Sequence, residues 1–178
     1  MEIILAENHG FCYGVKRAVE MANEAANGKG KSYTLGPIIH NPQVVNRLES
    51  KGVSPIQEVS DIDEGTMIIR SHGVGPAIYE EAEEKGLAIV DATCPHVKKA
   101  QQDAKSVIED GMTLVILGEK NHPEVKSINL WANNKGIIIE DEDSAKNLQV
   151  VEKMGVVVQT TFSQFKFNSI IEILEKKS

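Results

Sequence analysis

The sequence predicts an α/β fold made of two similar, small parallel-sheet units with helices on both faces. Short apolar runs alternate with helix-period segments along the 178-residue chain, the pattern of strands joined by helical crossovers. Two separate motifs recur at one common offset. The residues with chemical potential fall just after predicted strands, the edge at which parallel α/β sheets bind ligands.

Residues 2–6 form a short apolar run and predict a buried first strand. The loop 7–11 leads to Cys12, and Val15, Ala18, Val19 and Ala22 recur at helical spacing, predicting a helix over 14–26. Asn27-Gly28-Lys29-Gly30 ends it, because glycine takes the left-handed conformation of a helix stop without strain. A strand over 31–35 follows, Gly36-Pro37 turns the chain, and Pro42 opens a helix running to residue 50. A weak strand over 52–55, a stronger one over 66–70, a helix over 76–85 and a strand over 87–90 complete a first unit, 1–92. The second unit, 93–178, has helices over 95–110 and 123–132, strands over 113–117, 136–139 and 156–159, and a last helix over 163–177. An acidic stretch lies near 141–143. Trp131, Phe162, Phe165 and Phe167 are expected in cores or interfaces.

The duplication rests on named residues. Thr93-Cys94-Pro95-His96-Val97-Lys98-Lys99-Ala100 repeats the Cys-x-x-Val-Lys-basic-Ala pattern of Phe11-Cys12-Tyr13-Gly14-Val15-Lys16-Arg17-Ala18, 82 residues on. Gly118-Glu119-Lys120-Asn121-His122-Pro123 stands at the same distance from Gly36-Pro37-Ile38-Ile39-His40-Asn41-Pro42. A weaker match at offset 89 sets 67–72 against 156–161, so that Ser71 faces Thr160 and His72 faces Thr161.

Composition narrows the function. A hydrophobic fraction of 41% and a charged fraction of 25% are ordinary for a soluble globular protein. Nineteen basic against 26 acidic residues give a net charge of −7, which argues against nucleic-acid binding. No apolar run approaches the roughly 20 residues that span a bilayer, and the first residues lack the basic and apolar regions of a signal peptide. The expectation is a cytoplasmic protein whose thiols stay reduced, so a disulfide between Cys12 and Cys94, the only two cysteines, is disfavoured.

Cys12, His40, His72, Cys94, His122 and Thr160 all follow predicted strands. Two thiols at helix starts suit a soft metal, since a helix N-terminus favours the thiolate. Zinc bound by cysteine and histidine is one option, although the close pairs of structural zinc sites are absent. An iron–sulfur cluster is another, although four cysteines are usual. The histidines, each ahead of a helix, fit an anion such as phosphate, with Ser71, Thr160 and Thr161 as further donors. The Gly73-Val74-Gly75 loop lacks the Lys-Ser/Thr ending of a P-loop. Glu124, in the first turn of a helix, is either a proton donor beside an anion and a metal or a surface carboxylate complementing the helix dipole. His9 and His96 ligate, cap or face solvent.

At these residues the chain resembles the 4-hydroxy-3-methylbut-2-enyl diphosphate reductase family of the non-mevalonate isoprenoid pathway. The matching motifs are His9-Gly10-Phe11-Cys12-Tyr13-Gly14-Val15, Gly36-Pro37-Ile38-Ile39-His40-Asn41-Pro42 and Arg70-Ser71-His72-Gly73-Val74. Asp91-Ala92-Thr93-Cys94-Pro95, Gly118-Glu119-Lys120-Asn121-His122-Pro123-Glu124-Val125 and Gln159-Thr160-Thr161 complete the set in family order. The resemblance implies a pseudo-threefold trefoil of α/β units around a [4Fe–4S] cluster, with Cys12 and Cys94 holding two irons. It implies that His40, His72 and His122 hold the diphosphate and that Glu124, aided by Thr160, supplies a proton as the allylic hydroxyl leaves as water. Isopentenyl and dimethylallyl diphosphates are the implied products, and a ferredoxin or flavodoxin the implied electron donor. Family members carry a third cysteine in a Cys-Tyr-Ala-Thr-like segment, which this chain lacks, so the expectation is the N-terminal two of three units. A non-catalytic module binding diphosphate or zinc is the alternative.

Overall fold

The computed structural model describes every residue except Met1, Glu2, Leu5, Ala6, Asn8, Lys29 and Ser178. Strands β1 (Ser32–Leu35), β2 (Val53–Ile56), β3 (Thr66–Ile69) and β4 (Ala88–Asp91) form one sheet in the order β2-β1-β3-β4. Strands β5 (Thr113–Leu117), β6 (Ile137–Ile139) and β7 (Met154–Val158) form a second in the order β6-β5-β7. All pairings are parallel. No helix among the described residues is long and apolar enough to cross a membrane.

Alternation along each strand gives each sheet two apolar faces. In β3, Ile68 packs with helices α1 (Tyr13–Ala26) and α2 (Pro42–Glu49), while Met67 and Ile69 face α3 (Pro76–Glu84). In β5, Leu114 and Ile116 pack with α4 (Pro95–Glu109) and α5 (Pro123–Trp131). Val115 and Leu117 turn the other way, towards α6 (Glu142–Asn147) and α7 (Gln164–Leu174). Each sheet is therefore the middle of an αβα sandwich. Ile116 is fully buried, so Ile116→Ala is expected to cost about 2–5 kcal/mol, read as a lowered denaturant midpoint at unchanged slope.

Strand register carries the duplication through both sheets. Tyr33 pairs with Met67 as Val115 pairs with Val156, and Leu35 pairs with Ile56 as Leu117 pairs with Ile139. The offset is thus 82 for the central strands and 89 for β3 against β7, as the weaker sequence match requires. One extra residue enters between β5 and β6, and the other six between β6 and β7. There a single 3₁₀ turn, Val59–Asp61, in the first unit becomes α6 and its following loop in the second.

Some expectations need correction. Of the predicted strand over 2–6, Ile3 and Ile4 are 75% and 84% exposed and belong to no strand, while Glu2, Leu5 and Ala6 lie outside the described residues. Apolar character alone does not make a strand without a neighbour to pair with. The acidic stretch 141–143, to which the sequence assigned no element, opens a helix. Asp141 accepts from the Ser144 amide at 2.8 Å, and Ser144 Oγ accepts from the Asp141 amide at 3.1 Å, a capping box that starts α6. Phe162 and Phe167 pack on the second sheet's core as expected, but Phe165 is 81% exposed.

The two sheets meet along a seam built by α5 and the loop after β3. Trp131 Nε1 donates to the Val74 carbonyl at 2.9 Å and its ring meets Tyr79 edge-on at 6.1 Å. Gly75 lets this happen, because a Cβ there would stand 2.8 Å from Leu130 Cδ1. The Arg17 guanidinium donates to the Thr93 carbonyl at 3.1 Å.

Candidate active site

Three histidines are delivered to one point by three strand-end loops. His40 follows β1 on a loop whose Ile38 and Ile39 are buried, and Asn41 then caps α2 by accepting from the Val44 amide at 3.0 Å. His72 follows β3 through a tight turn that needs Gly73 at φ +72°. A Cβ on Gly73 would stand 2.4 Å from Gln101 Nε2, which donates to Ser127 Oγ at 2.6 Å in a fully buried pair. His122 follows β5 and caps α5, its Nδ1 accepting from the Glu124 amide at 3.2 Å. That bond leaves Nε2 as the protonated nitrogen of the neutral His122 ring.

The rings converge. Centroids lie 4.6 Å apart for His40 and His72, 5.4 Å for His72 and His122, and 6.0 Å for His40 and His122. One ring nitrogen from each lies within 4.8 Å of the others. Burial, followed by the charges of His40, Arg70 and His122, pushes the His72 pKa down to about 4. His72 Nδ1 is buried without a hydrogen-bond partner. The cluster can serve an anion through N–H donors or a divalent cation through lone pairs.

Glu124 is 2% exposed, which removes the surface-carboxylate reading. Its carboxylate accepts from the Thr160 amide at 2.6 Å and from Thr160 Oγ1 at 2.9 Å, tying α5 to the end of β7. Thr160→Val is expected to cost about 1–3 kcal/mol of stability by withdrawing a donor from this buried group. Thermal unfolding checks this against Thr160→Ser, which keeps the hydroxyl and should stay near the parent value.

Both sulfurs are free. Cys12 is the N-cap of α1 and Cys94 the N-cap of α4, neither making a side-chain cap hydrogen bond. A Cβ on Gly14 would stand 2.5 Å from Cys94 Sγ, so glycine is what lets the second thiol approach the helix that the first one caps. Two free thiols, each at the positive end of a helix and the second lying against the helix that the first one caps, fit a thiolate-bound iron–sulfur group. Among the described residues Cys12 follows no strand, so its place comes from the helix alone. Cys94 follows β4 across a turn fixed by Asp91, which accepts from the Thr93 amide at 3.0 Å and from Tyr79 at 3.0 Å and pairs with Lys98 at 2.6 Å. Burial pushes the Asp91 carboxyl up, and its bonds from Lys98 and Thr93 more than offset this, holding it below the usual range. His9 and His96 are exposed and outside the cluster.

Sequence reasoning gave no role to Gln159, Gln101 or Ser127. Gln159 Oε1 accepts from the Glu119 amide at 2.9 Å and Nε2 donates to Thr161 Oγ1 at 3.0 Å, bracing the His122 loop. Its place beside Thr160 in a motif was a usable signal. Gln101 and Ser127 gave none, because a buried polar pair on two helices has no sequence signature.

The family model for the LytB protein matches residues 3–178. This chain belongs to the LytB family. A relative from Geotalea uraniireducens named 4-hydroxy-3-methylbut-2-enyl diphosphate reductase is 49% identical over 97% of this chain and 61% of its own length. One of the same name from Geobacter metallireducens is 49% identical over 99% of the chain and 63% of its own length. A solved structure of (E)-4-hydroxy-3-methyl-but-2-enyl diphosphate reductase, the terminal enzyme of the non-mevalonate pathway, superimposes with a TM-score of 0.86 at 45% identity over 97% of this chain and 63% of that one. The Plasmodium falciparum reductase structure gives 0.90 at 32% identity, covering 96% of this chain and 55% of its own. The chain thus spans about three fifths of the length of the LytB relatives it matches.

Proposed function

We propose that this chain carries the diphosphate-binding and proton-donating part of an oxidoreductase that removes the hydroxyl of 4-hydroxy-3-methylbut-2-enyl diphosphate. The observation that carries the reading is the pairing of buried Glu124 with Thr160 beside three histidines on one strand-end edge. The relatives' names supply the substrate. Units 1–92 and 93–178 each contribute, the first His40 and His72, the second His122, Glu124 and Thr160.

Nε2–H of His122 and the N–H groups of His40 and His72 donate to diphosphate oxygens, with the N-termini of α2 and α5 adding positive potential. Cys12 and Cys94 would hold two irons of a [4Fe–4S] cluster, which supplies electrons and a Lewis-acid iron for cleavage of the allylic C–O bond. Glu124 in its acid form holds the proton that the departing hydroxyl needs to leave as water, and Thr160 keeps that carboxyl turned to the site. Two electrons and two protons balance conversion to water and isopentenyl or dimethylallyl diphosphate. A ferredoxin or flavodoxin would supply the electrons, in the cytoplasm.

Anaerobic reconstitution with iron and sulfide tests the cysteines. A visible absorption band should form with the full protein and be lost in Cys94→Ser. A serine variant that kept both band and activity would remove Cys94 from the ligand set. Stoichiometric zinc in the purified protein, with diphosphate binding indifferent to oxygen, would favour a binding module instead.

A further inference from the structure

Behind the histidine loops, on the seam between the two sheets, lies a cleft of about 350 Å³. Arg70 and Lys126 line it from opposite units, with Gln57 and Asn121 as neutral polar neighbours and Val74 and Leu130 among its apolar walls. Among the described residues no Asp or Glu lines it.

Arg70 is the informative residue, because the duplication supplies its control. The register that sets Met67 against Val156 sets Arg70 against Gln159. Both side chains pack over the equivalent glycine. A Cβ on Gly36 would stand 2.7 Å from Arg70 Nη1, and one on Gly118 would stand 2.8 Å from Gln159 Oε1. Gln159 is neutral there and bonded through both ends of its amide. Arg70 is charged and its Nε is buried with no partner. Among the described residues no side chain or carbonyl bonds its guanidinium and no acid pairs with it. Arginine stays protonated in proteins, so burial does not relieve this by neutralisation. Lys126, exposed on α5, makes no ion pair among the described residues either.

We propose that this cleft is a binding site for a phosphate monoester with a short apolar body, separate from the histidine cluster. Two unpaired cations facing one cleft match the charge of a phosphate dianion, and guanidinium donors fit its oxygens bidentately. The walls from Val74 and Leu130 receive the hydrocarbon part. A ligand so placed touches both units and fastens the seam.

The probe is n-butyl phosphate, with inorganic phosphate and butyrate for comparison, titrated calorimetrically into the chain. Two sites are expected, one belonging to the histidines and one to the cleft. Arg70→Gln, which copies the state of position 159, should weaken the cleft site by about 10-fold or more, and Lys126→Gln should weaken it several-fold. His122→Asn should remove only the histidine site. Lys126 is exposed, so its variant keeps the fold and remains decisive if Arg70→Gln does not fold. Butyl phosphate should exceed both inorganic phosphate and butyrate at the cleft site. The proposal is overturned if His122→Asn abolishes all binding, if Lys126→Gln changes none of it, or if inorganic phosphate binds the cleft as well as its butyl ester. A single cleft site with no histidine site would sink the diphosphate reading above and leave this one standing.

Discussion

Glu124→Gln is expected, on the proposed reaction, to lower turnover of the allylic diphosphate by about 10²–10⁴-fold, the usual contribution of a positioned general acid. Glutamine matches the shape of glutamate and still accepts from the Thr160 amide, so the fold and the histidine cluster stay in place. What it lacks is a proton that can be given up. Substrate affinity should therefore hold while kcat falls, a split that separates a lost proton donor from a damaged pocket. Single-turnover measurements on cluster-loaded protein check it. Turnover at the native rate would place the donor elsewhere, and loss of affinity with kcat preserved would make Glu124 a binding residue.

A second large effect concerns pH. His72 is neutral in the free protein down to about pH 4, because burial and the charges of His40, Arg70 and His122 oppose its protonation. A dianion among the three rings favours the imidazolium, so binding takes up a proton. Sulfate is the clean probe, since its own charge does not change in this range. Its affinity should rise as pH falls from 7 towards 5, through proton uptake on binding, and His72→Asn should lessen the slope. An affinity independent of pH would mean that a neutral His72 does the binding. Stability of the free protein moves the opposite way. The folded pKa of about 4 lies below the ordinary 6.5, so the His72 contribution is complete above 6.5 and is lost as pH falls towards 4.

Most of the fold was legible because each crossover leaves a local mark. Pro42, Pro76, Pro95 and Pro123 stand at helix starts, and apolar runs mark strands such as β3, β5, β6 and β7. What failed, failed for want of context. Ile3 and Ile4 look like a strand, yet pairing depends on a partner that no local pattern names. The acidic residues 141–143 announce no helix because theirs rests on a cap rather than on an apolar stripe. At the site, residue types and strand-end positions marked the three histidines that converge and Cys94, whereas Cys12 follows no strand among the described residues. The burial of Glu124 was beyond reach, since the Thr160 amide and hydroxyl that bind it lie 36 residues away. The same holds for Arg70, whose lack of a partner exists only in three dimensions.

Each sheet is drawn from one contiguous stretch of chain, yet the histidine cluster is drawn from both. His40 and His72 stand at the ends of first-sheet strands and His122 at the end of a second-sheet strand. The order of folding follows from this geometry. Each sheet can close on its own segment before the seam forms, as contiguous units generally do. The site is then the last feature to assemble and the first to vanish when the molecule loosens. Partial opening at Trp131 and Val74 would disperse the histidines while amides in β3 and β5 stayed protected from hydrogen exchange.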